Sequence, residues 1–283
     1  MGPAWDGDAS IDGGRVLGAM RRLPGIGAAV EHLELRPSAP STNALALDDS
    51  RWGLVVVALE QTAGRGRAGS SWASPRGGLY MSYVPPEGLL PARPTDATPL
   101  AGLAAADAVD GALALAGSEG PRARLKWPND VLLDGRKVAG VLVQARSDGT
   151  DRRPSRTAIG VGINVNARIE LRAPTGGPAP LEPTSLREVT RRPVGLEPLL
   201  VGTVVGLVAR LAEGLTPRAI AQYSSRCDTL GRRVAFADGG SRVEAVAVAI
   251  DPDGALVVEG AGGEGRRRVT AGEVSHLREA GRP

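Results

Sequence analysis

The sequence predicts an α+β protein, buried strands and helices followed by a small β-domain, and three observations carry that reading. The continuous apolar run Leu54–Leu59 (LVVVAL) is the pattern of a strand buried on both faces. Apolar residues recur at helical spacing over Thr98–Ala116 and over about Glu197–Glu213. Past Asp228 the pattern changes to short strands (RRVAFA, RVEAVAVAI, GALVVEG, RRRVTA) separated by DGG, DPDG and GAGGEG, the spacing of a small barrel or sandwich. The 283 residues accordingly divide into a disordered Gly- and Asp-rich tail at 1–14, a large domain at 15–227 and a small β-domain at 228–283.

Taken in order, Leu33–Leu35 begins an extended segment, and STNALALDDS forms a short helix capped by Ser41 or Thr42. The LVVVAL strand delivers Glu60 and Gln61 to its C-terminal end. A long flexible loop rich in Gly, Ser and Arg follows, and then LYMSYV alternates as a strand over Leu79–Val84. Residues 123–127 lead into a turn at Pro128-Asn129-Asp130. Val131–Leu133 and Val138–Gln144 form a hairpin around Asp134-Gly135, a strong two-residue turn signal. Arg146–Arg156 reads as an exposed loop, TAIGVGINVN as a buried strand, and Ala167–Thr184 as a Pro/Gly-rich connection. The last helix of the large domain, Pro217–Cys227, starts with a Thr216 cap and proline in the first turn.

Composition narrows the functions. Positive charge is carried by arginine, with lysine only at Lys126 and Lys137, and asparagine occurs only at Asn43, Asn129, Asn164 and Asn166. Where arginine serves, this chain uses arginine; the two retained lysines, close together, mark places that need a compact ammonium on a flexible stem. A net charge of +3 does not demand nucleic acid. The lone Cys227 excludes an internal disulfide framework, suits a reducing compartment and reads as a small buried hydrophobe. The acidic N-terminus lacks a secretory pattern, and Leu199–Ala212, taken as the most apolar long stretch, is too short to span a membrane, so a cytoplasmic protein is expected. His32 and His276 lack partners at ligand spacing and read as surface or capping residues; no Ser-His-Asp set and no metal cluster is apparent.

Four motifs carry chemistry. GRGRAG (Gly64–Gly69) satisfies GxGxxG, but a dinucleotide site opens a helix there and a Walker loop needs Gly-Lys-Ser/Thr; neither follows. What remains is a solvated arginine-rich linker, an RGG-like nucleic-acid segment, or a loop in which backbone amides, Arg65 and Arg67 bind anion oxygens at the end of a buried strand. KWPND (Lys126–Asp130) fixes an ammonium and a carboxylate in defined directions around Pro128, unless it is only a tight turn with Trp127 packed in the core. GRKVAG places Lys137 at the start of a hairpin strand, as a functional group or an exposed lysine near a turn. In GVGINVN, Asn164 sits among apolar neighbours and must either satisfy backbone groups or read a ligand edge.

Together the motifs resemble those of the biotin–protein ligases, also called holocarboxylase synthetases: STN at Ser41–Asn43, EQTAGRGR at Glu60–Arg67, WASPRGGLYMS at Trp72–Ser82, KWPNDVLL, GRKVAGVLVQ and IGVGINVN, in that order over residues 41–166. The terminal GEVSHL is similar to the family's C-terminal β-domain. The resemblance implies a mixed sheet with helices, related to class II aminoacyl-tRNA synthetase and lipoate-ligase catalytic domains, followed by an SH3-like barrel. It also implies an enzyme that converts biotin and ATP, with Mg²⁺, to biotinyl-5′-AMP and pyrophosphate, then passes biotin to a lysine of the biotin carboxyl carrier domain of an acyl-CoA or pyruvate carboxylase. Only about 40 residues precede STN, fewer than the DNA-binding domain of many bacterial members, so no repressor activity, no DNA partner and no membrane partner is expected.

By the same resemblance, Lys137 would contact the biotin carboxylate and the α-phosphate, with Arg65 and Arg67 in a loop that closes on the adenylate. Ser41, Thr42 and Gln61 would hydrogen-bond the ureido ring, with Asn43 and Gly64 in the same biotin-binding set and Gly140 allowing close backbone approach. Trp72 would lie against the adenine, with Asn164 near its edge; Lys126, Asn129 and Asp130 would organise the phosphates, Asp130 being the candidate metal ligand. One departure stands out: Ser70 occupies the position where family loops often carry a third arginine. The alternatives are a lipoate–protein ligase, which has no ureido-reading edge, and a non-enzymatic nucleic-acid-binding protein, whose affinity would fall steeply with salt.

Overall fold

A computed structural model describes residues 11–120, 122–147, 156–169, 181–238, 241–260, 265–270 and 274–276. The expected disorder at 1–10 therefore lies outside the described residues, whereas 11–14 depart from it. Ile11 is buried, and Asp12 caps a helix at its Arg15 amide, so α1 (Gly13–Arg21) starts inside the stretch read as tail. The Gly-rich composition concealed an amphipathic turn that buries Val16 and Met20.

The large sheet has seven strands: β1 (His32–Arg36), β2 (Leu54–Ala58), β3 (Leu79–Val84), β4 (Arg124–Lys126), β5 (Asp130–Leu133), β6 (Arg136–Arg146) and β7 (Arg156–Ile163). Their order is β1-β2-β3-β7-β6-β5-β4, with β1 and β2 parallel and the other neighbours antiparallel. Both faces are covered. Val55 and Val57 of β2 join the main core with α3 (Ala97–Leu115) and α5 (Leu196–Glu213), while Leu54 and Val56 pack with Ala46 of α2 (Thr42–Asp48). Two-sided burial is why LVVVA needs no polar alternation.

The alternation in LYMSYV is also used. Leu79, Met81 and Tyr83 face the α3 side, whereas Tyr80 and Ser82 face the side of α2. On β7 the same period sends Ile159, Val161 and Ile163 into the core and leaves Gly160 and Gly162 beneath Asn43 and Trp72. Asp134 and Gly135 both adopt positive φ, as a two-residue hairpin turn requires.

Of the loop expected at 146–156, 148–155 lie outside the described residues and Ser147 is exposed, but the margins depart from it: Arg146 ends β6, and Arg156 opens β7 and is buried, donating to the carbonyls of Ala46 and Arg51. A short α4 (Leu186–Thr190) precedes α5, and α6 (Pro217–Arg226) is capped by the Thr216 hydroxyl as read from the sequence. The Pro94–Leu115 stretch is long and apolar enough to cross a membrane by length and composition, and most of it is buried in the core.

At Cys227 the chain runs beside β4 through a parallel bridge to Leu125 and then enters a five-stranded antiparallel sheet. That sheet has β8 (Arg233–Asp238), β9 (Ser241–Ile250), β10 (Leu256–Gly260), β11 (Arg266–Val269) and β12 (Ser275–His276), in the order β11-β10-β9-β8-β12. Its Val234, Phe236, Leu256 and Val274 are continuous with the main core. Cys227 is buried, as read, and burial pushes its thiol pKa up.

Candidate active site

A cavity of about 220 Å³ opens on the α2 side of the large sheet, near the C-terminal end of β2. Its floor is made by two rows running across the strands. Gly160 and Leu142 are register partners in one row, with the fully buried Ser82 paired behind the cavity, and Tyr80, Gly162 and Gly140 in the next. The glycines are needed because large groups lie on them. A Cβ on Gly160 would stand 2.4 Å from Asn43 Oδ1, one on Gly162 2.7 Å from Trp72 Nε1, and one on Gly140 3.0 Å from the Trp72 ring.

The wall nearest α2 is uncharged and internally bonded. Gln61 Oε1 accepts from the Thr42 backbone N–H at 2.9 Å, and Gln61 Nε2 donates to Ser74 Oγ at 2.8 Å. Asn43 Nδ2 donates to the Leu142 carbonyl at 3.0 Å and to Gln144 Oε1 at 2.9 Å, which ties α2 to β6. Ser82 lies 2.8 Å from Thr42 Oγ1 and 2.6 Å from Asn43 Oδ1. Ser41 is the N-cap of α2 by position, but its hydroxyl makes no capping bond, and it lines the cavity.

Opposite stands a charged wall. Lys137 Nζ pairs with Asp130 Oδ1 at 2.7 Å, an ion pair without hydrogen-bond geometry, and lies 4.9 Å from the centroid of the Trp72 ring. Asn129 donates through Nδ2 to the Val141 carbonyl at 2.9 Å, and its Oδ1 accepts from Arg67 at 3.4 Å. Arg65, Arg67, Lys126 and Lys137 all line the cavity, with Asp130 the sole carboxylate among the lining residues. The field there is strongly positive.

The arginine loop is a tongue with ordered rungs rather than an open linker. Gln61 pairs with Ser74 and Arg65 with Ser71, and the Trp72 N–H donates to the Gly64 carbonyl at 2.9 Å. At the tip, Arg67–Gly69 form a single 3₁₀ turn in which Ala68 has φ 50°, a left-handed conformation costing about 1 kcal/mol for a residue with a Cβ. Gly64 sits within the base, where a Cβ would meet the Trp72 carbonyl at 2.4 Å.

The KWPND turn is clamped from outside the large sheet. Trp127 is buried; its backbone N–H donates to Thr229 Oγ1 at 3.0 Å and its indole to the Gly254 carbonyl at 2.9 Å. Buried Tyr223 donates to the Pro128 carbonyl. Of the surface and capping roles read for His276, the surface one does not hold: it is half-buried against Thr229 Oγ1 at 3.0 Å. Burial, together with the charges of Lys126 and Arg232, pushes the His276 imidazole down to about 4. Val274, from the same terminal segment, lines the cavity.

Twelve of the residues singled out from the sequence thus meet at one cavity: Ser41, Thr42, Asn43, Gln61, Arg65, Arg67, Trp72, Lys126, Asn129, Asp130, Lys137 and Gly140. Gly64 and Asn164 do not line it. Asn164 takes the backbone option: buried, it donates to the carbonyls of Lys137 at 3.3 Å and Thr184 at 3.0 Å, so it braces the strand that carries Lys137 and presents no edge to the cavity. The space above Gly140 is taken by the Trp72 ring. Sequence reading missed Ser82, Gly160, Gly162, Ser74 and Val274. The period-two pattern of LYMSYV and GVG could have found the first three.

Two family models match the chain in succession, that of the biotin/lipoate A/B protein ligase family over residues 36–164 and that of the biotin protein ligase C-terminal domain over 229–277. A biotin–[acetyl-CoA-carboxylase] ligase of Paracoccus denitrificans is 34% identical over 244 residues, covering 83% of this chain and 96% of that protein. The chain belongs to the biotin protein ligase family. A second member, the biotin–[acetyl-CoA-carboxylase] ligase of Mycobacterium tuberculosis, is 32% identical over 91% of this chain and 93% of its own length. Among solved structures of biotin protein ligases, that from Aquifex aeolicus in complex with biotin and ATP superposes with a TM-score of 0.71 at 24% identity, covering 88% of this chain and all of that one, and so shares the fold. Both sheets described above are thereby those of a biotin protein ligase.

Proposed function

We propose that the cavity activates biotin with ATP and that the chain is a biotin–protein ligase acting on the carrier domain of a biotin-dependent carboxylase. The single observation that carries this reading is the division of one cavity into an uncharged, hydrogen-bonded wall and a cationic wall. The first suits a neutral polar ring and the second suits phosphates. Family membership and the two full-length relatives named as biotin ligases favour biotin over lipoate, whose ring has no polar edge for Thr42 and Gln61 to satisfy.

In the first step a carboxylate oxygen of biotin forms a bond to the α-phosphorus of ATP, and the bond to the pyrophosphate oxygen breaks. Two anions at about 4 Å repel by roughly 4 kcal/mol at an effective dielectric of 20. Lys137, on the charged wall beside Trp72, is the group placed to offset that repulsion as charge moves to the leaving oxygen. Substrate anions compete with Asp130 for its ammonium. Arg65 and Arg67, on the tongue, reach the same space and would cover the mixed anhydride until the carrier lysine attacks its carbonyl and expels AMP.

Mg²⁺ belongs to this proposal. Among the described residues no group of three metal-ligating side chains exists, and Asp130 is the sole carboxylate on the cavity. That donor set fits a Mg²⁺ that arrives with the triphosphate and takes one protein carboxylate, Asp130, rather than a protein cage. When bound, the ion would neutralise phosphate charge. A carrier from an acyl-CoA or pyruvate carboxylase, the absence of DNA and membrane partners, and a cytoplasmic setting complete the proposal; the buried, unpaired Cys227 supports the last of these.

The test is pyrophosphate release from ATP and Mg²⁺ with biotin or lipoate, followed by transfer of label to a purified carrier domain. Biotin-dependent release and labelling of one carrier lysine are expected; release driven by lipoate alone would overturn the reading.

A further inference from the structure

Ser82 is fully buried on β3, behind the cavity, and is reached by two side chains of α2. Its surroundings leave few places for protons. The Asn43 amide can point only one way, because the Leu142 carbonyl requires its NH₂ end. Asn43 Oδ1 therefore faces Ser82, and as an oxygen with no proton at 2.6 Å it must receive the Ser82 hydroxyl proton. With that proton committed, the 2.8 Å contact between Ser82 and Thr42 is made by the Thr42 proton. The Gln61 amide is pinned likewise: Oε1 accepts the Thr42 backbone N–H, and Nε2 donates to Ser74. A second claim on the Thr42 proton, from Gln61 Oε1 at 3.2 Å, is longer and falls on an oxygen that already accepts the Thr42 backbone N–H, so the shorter contact to Ser82 holds the proton.

Thr42 Oγ1 is thus left as an acceptor, while Gln61 Nε2 keeps a second N–H with no partner among the described residues. An acceptor beside a donor matches the N–H and C=O of a cis-amide edge, the chemistry of a cyclic urea. We propose that Ser82 is a positioning residue that sets the hydrogen-bond polarity of the biotin-ring subsite, forcing Thr42 to accept so that a ring N–H is selected over a ring oxygen. The assignment rests on the biotin reading above.

The experiment measures pyrophosphate release with biotin and with its two cyclic-carbamate analogues, in which ring oxygen replaces one or the other ureido nitrogen. The full-length enzyme is used as wild type, Ser82→Ala and Ser82→Cys, with thermal melting of each. Wild type is expected to reject one carbamate by roughly a hundredfold, since an acceptor facing an oxygen is left unpaired. In Ser82→Ala the shorter claim on the Thr42 proton is gone, so the hydroxyl can turn to the ring oxygen. The biotin-to-carbamate ratio of kcat/KM should fall about tenfold, a change worth one hydrogen bond, with KM for biotin rising more than kcat falls. Ser82→Cys, a weak donor and acceptor, should lie between, and it decides alone if the alanine variant does not fold. A folded variant that keeps the wild-type ratio overturns the role of Ser82. A wild type that releases no pyrophosphate with biotin overturns the biotin reading and this assignment together.

Discussion

The two walls of the cavity are built on opposite principles. On the α2 side, Thr42, Asn43, Gln61 and Ser82 are held by hydrogen bonds to one another and to backbone groups, above glycines that remove every obstructing Cβ. On the other side, Lys137 meets Asp130 in an ion pair, and Arg67 reaches Asn129 through a long hydrogen bond. A neutral ring is recognised by direction, so its wall must be rigid beforehand; anions are recognised by charge, so theirs can hold provisional pairs that substrate replaces.

Removing the central charge gives the largest expected effect. Lys137→Ala should lower the rate of adenylation by about 10²–10³-fold with the fold retained, as for a lost transition-state donor. Pyrophosphate release at the wild-type rate by a folded variant would break the contrast between the walls. Next comes the glycine floor: Gly160→Ala puts a Cβ 2.4 Å from Asn43 Oδ1, and the amide cannot retreat without losing Leu142. Biotin affinity, measured by calorimetry, should fall about tenfold or more, while nucleotide affinity changes little.

A smaller effect is expected at the tongue. Arg67→Gly removes the contact to Asn129 and should loosen retention of the adenylate several-fold, on the scale of one charged hydrogen bond; labelling of non-cognate lysines, read by mass spectrometry, would rise. The mildest concerns the clamp behind the KWPND turn. Because His276 is held near 4 against an ordinary 6.5, the unfolded chain takes up its proton first as pH falls. That contribution to stability is complete above pH 6.5 and is lost on acidification toward 4. His276→Gln should flatten the decline in melting temperature between about pH 7 and pH 5; an equal decline in both proteins would remove the clamp from the account.

How far the sequence reached differs between these walls. The charged residues were legible because two lysines among so many arginines, a forced turn at Pro128 and an Asp-Gly hairpin are local signals. The uncharged wall was legible only in its front row, Ser41, Thr42, Asn43 and Gln61, and there through the family resemblance. Ser82 meets the glycine under Asn43 only because β3 pairs with β7, a strand far along the chain, which then pairs with its sequence neighbour β6 beneath Trp72.

By itself the sequence determined the elements and the chemistry they could carry: a two-faced central strand, a glycine-arginine tongue at its end, a lysine on a hairpin and a terminal β-domain. Tertiary structure decided which groups do the bonding. Asn164 turned to the backbone, His276 went inside, and Val274 came to the cavity, because a buried polar atom must find whichever partner the packing brings within about 3 Å. Periodicity says which face a side chain takes, but not what waits there.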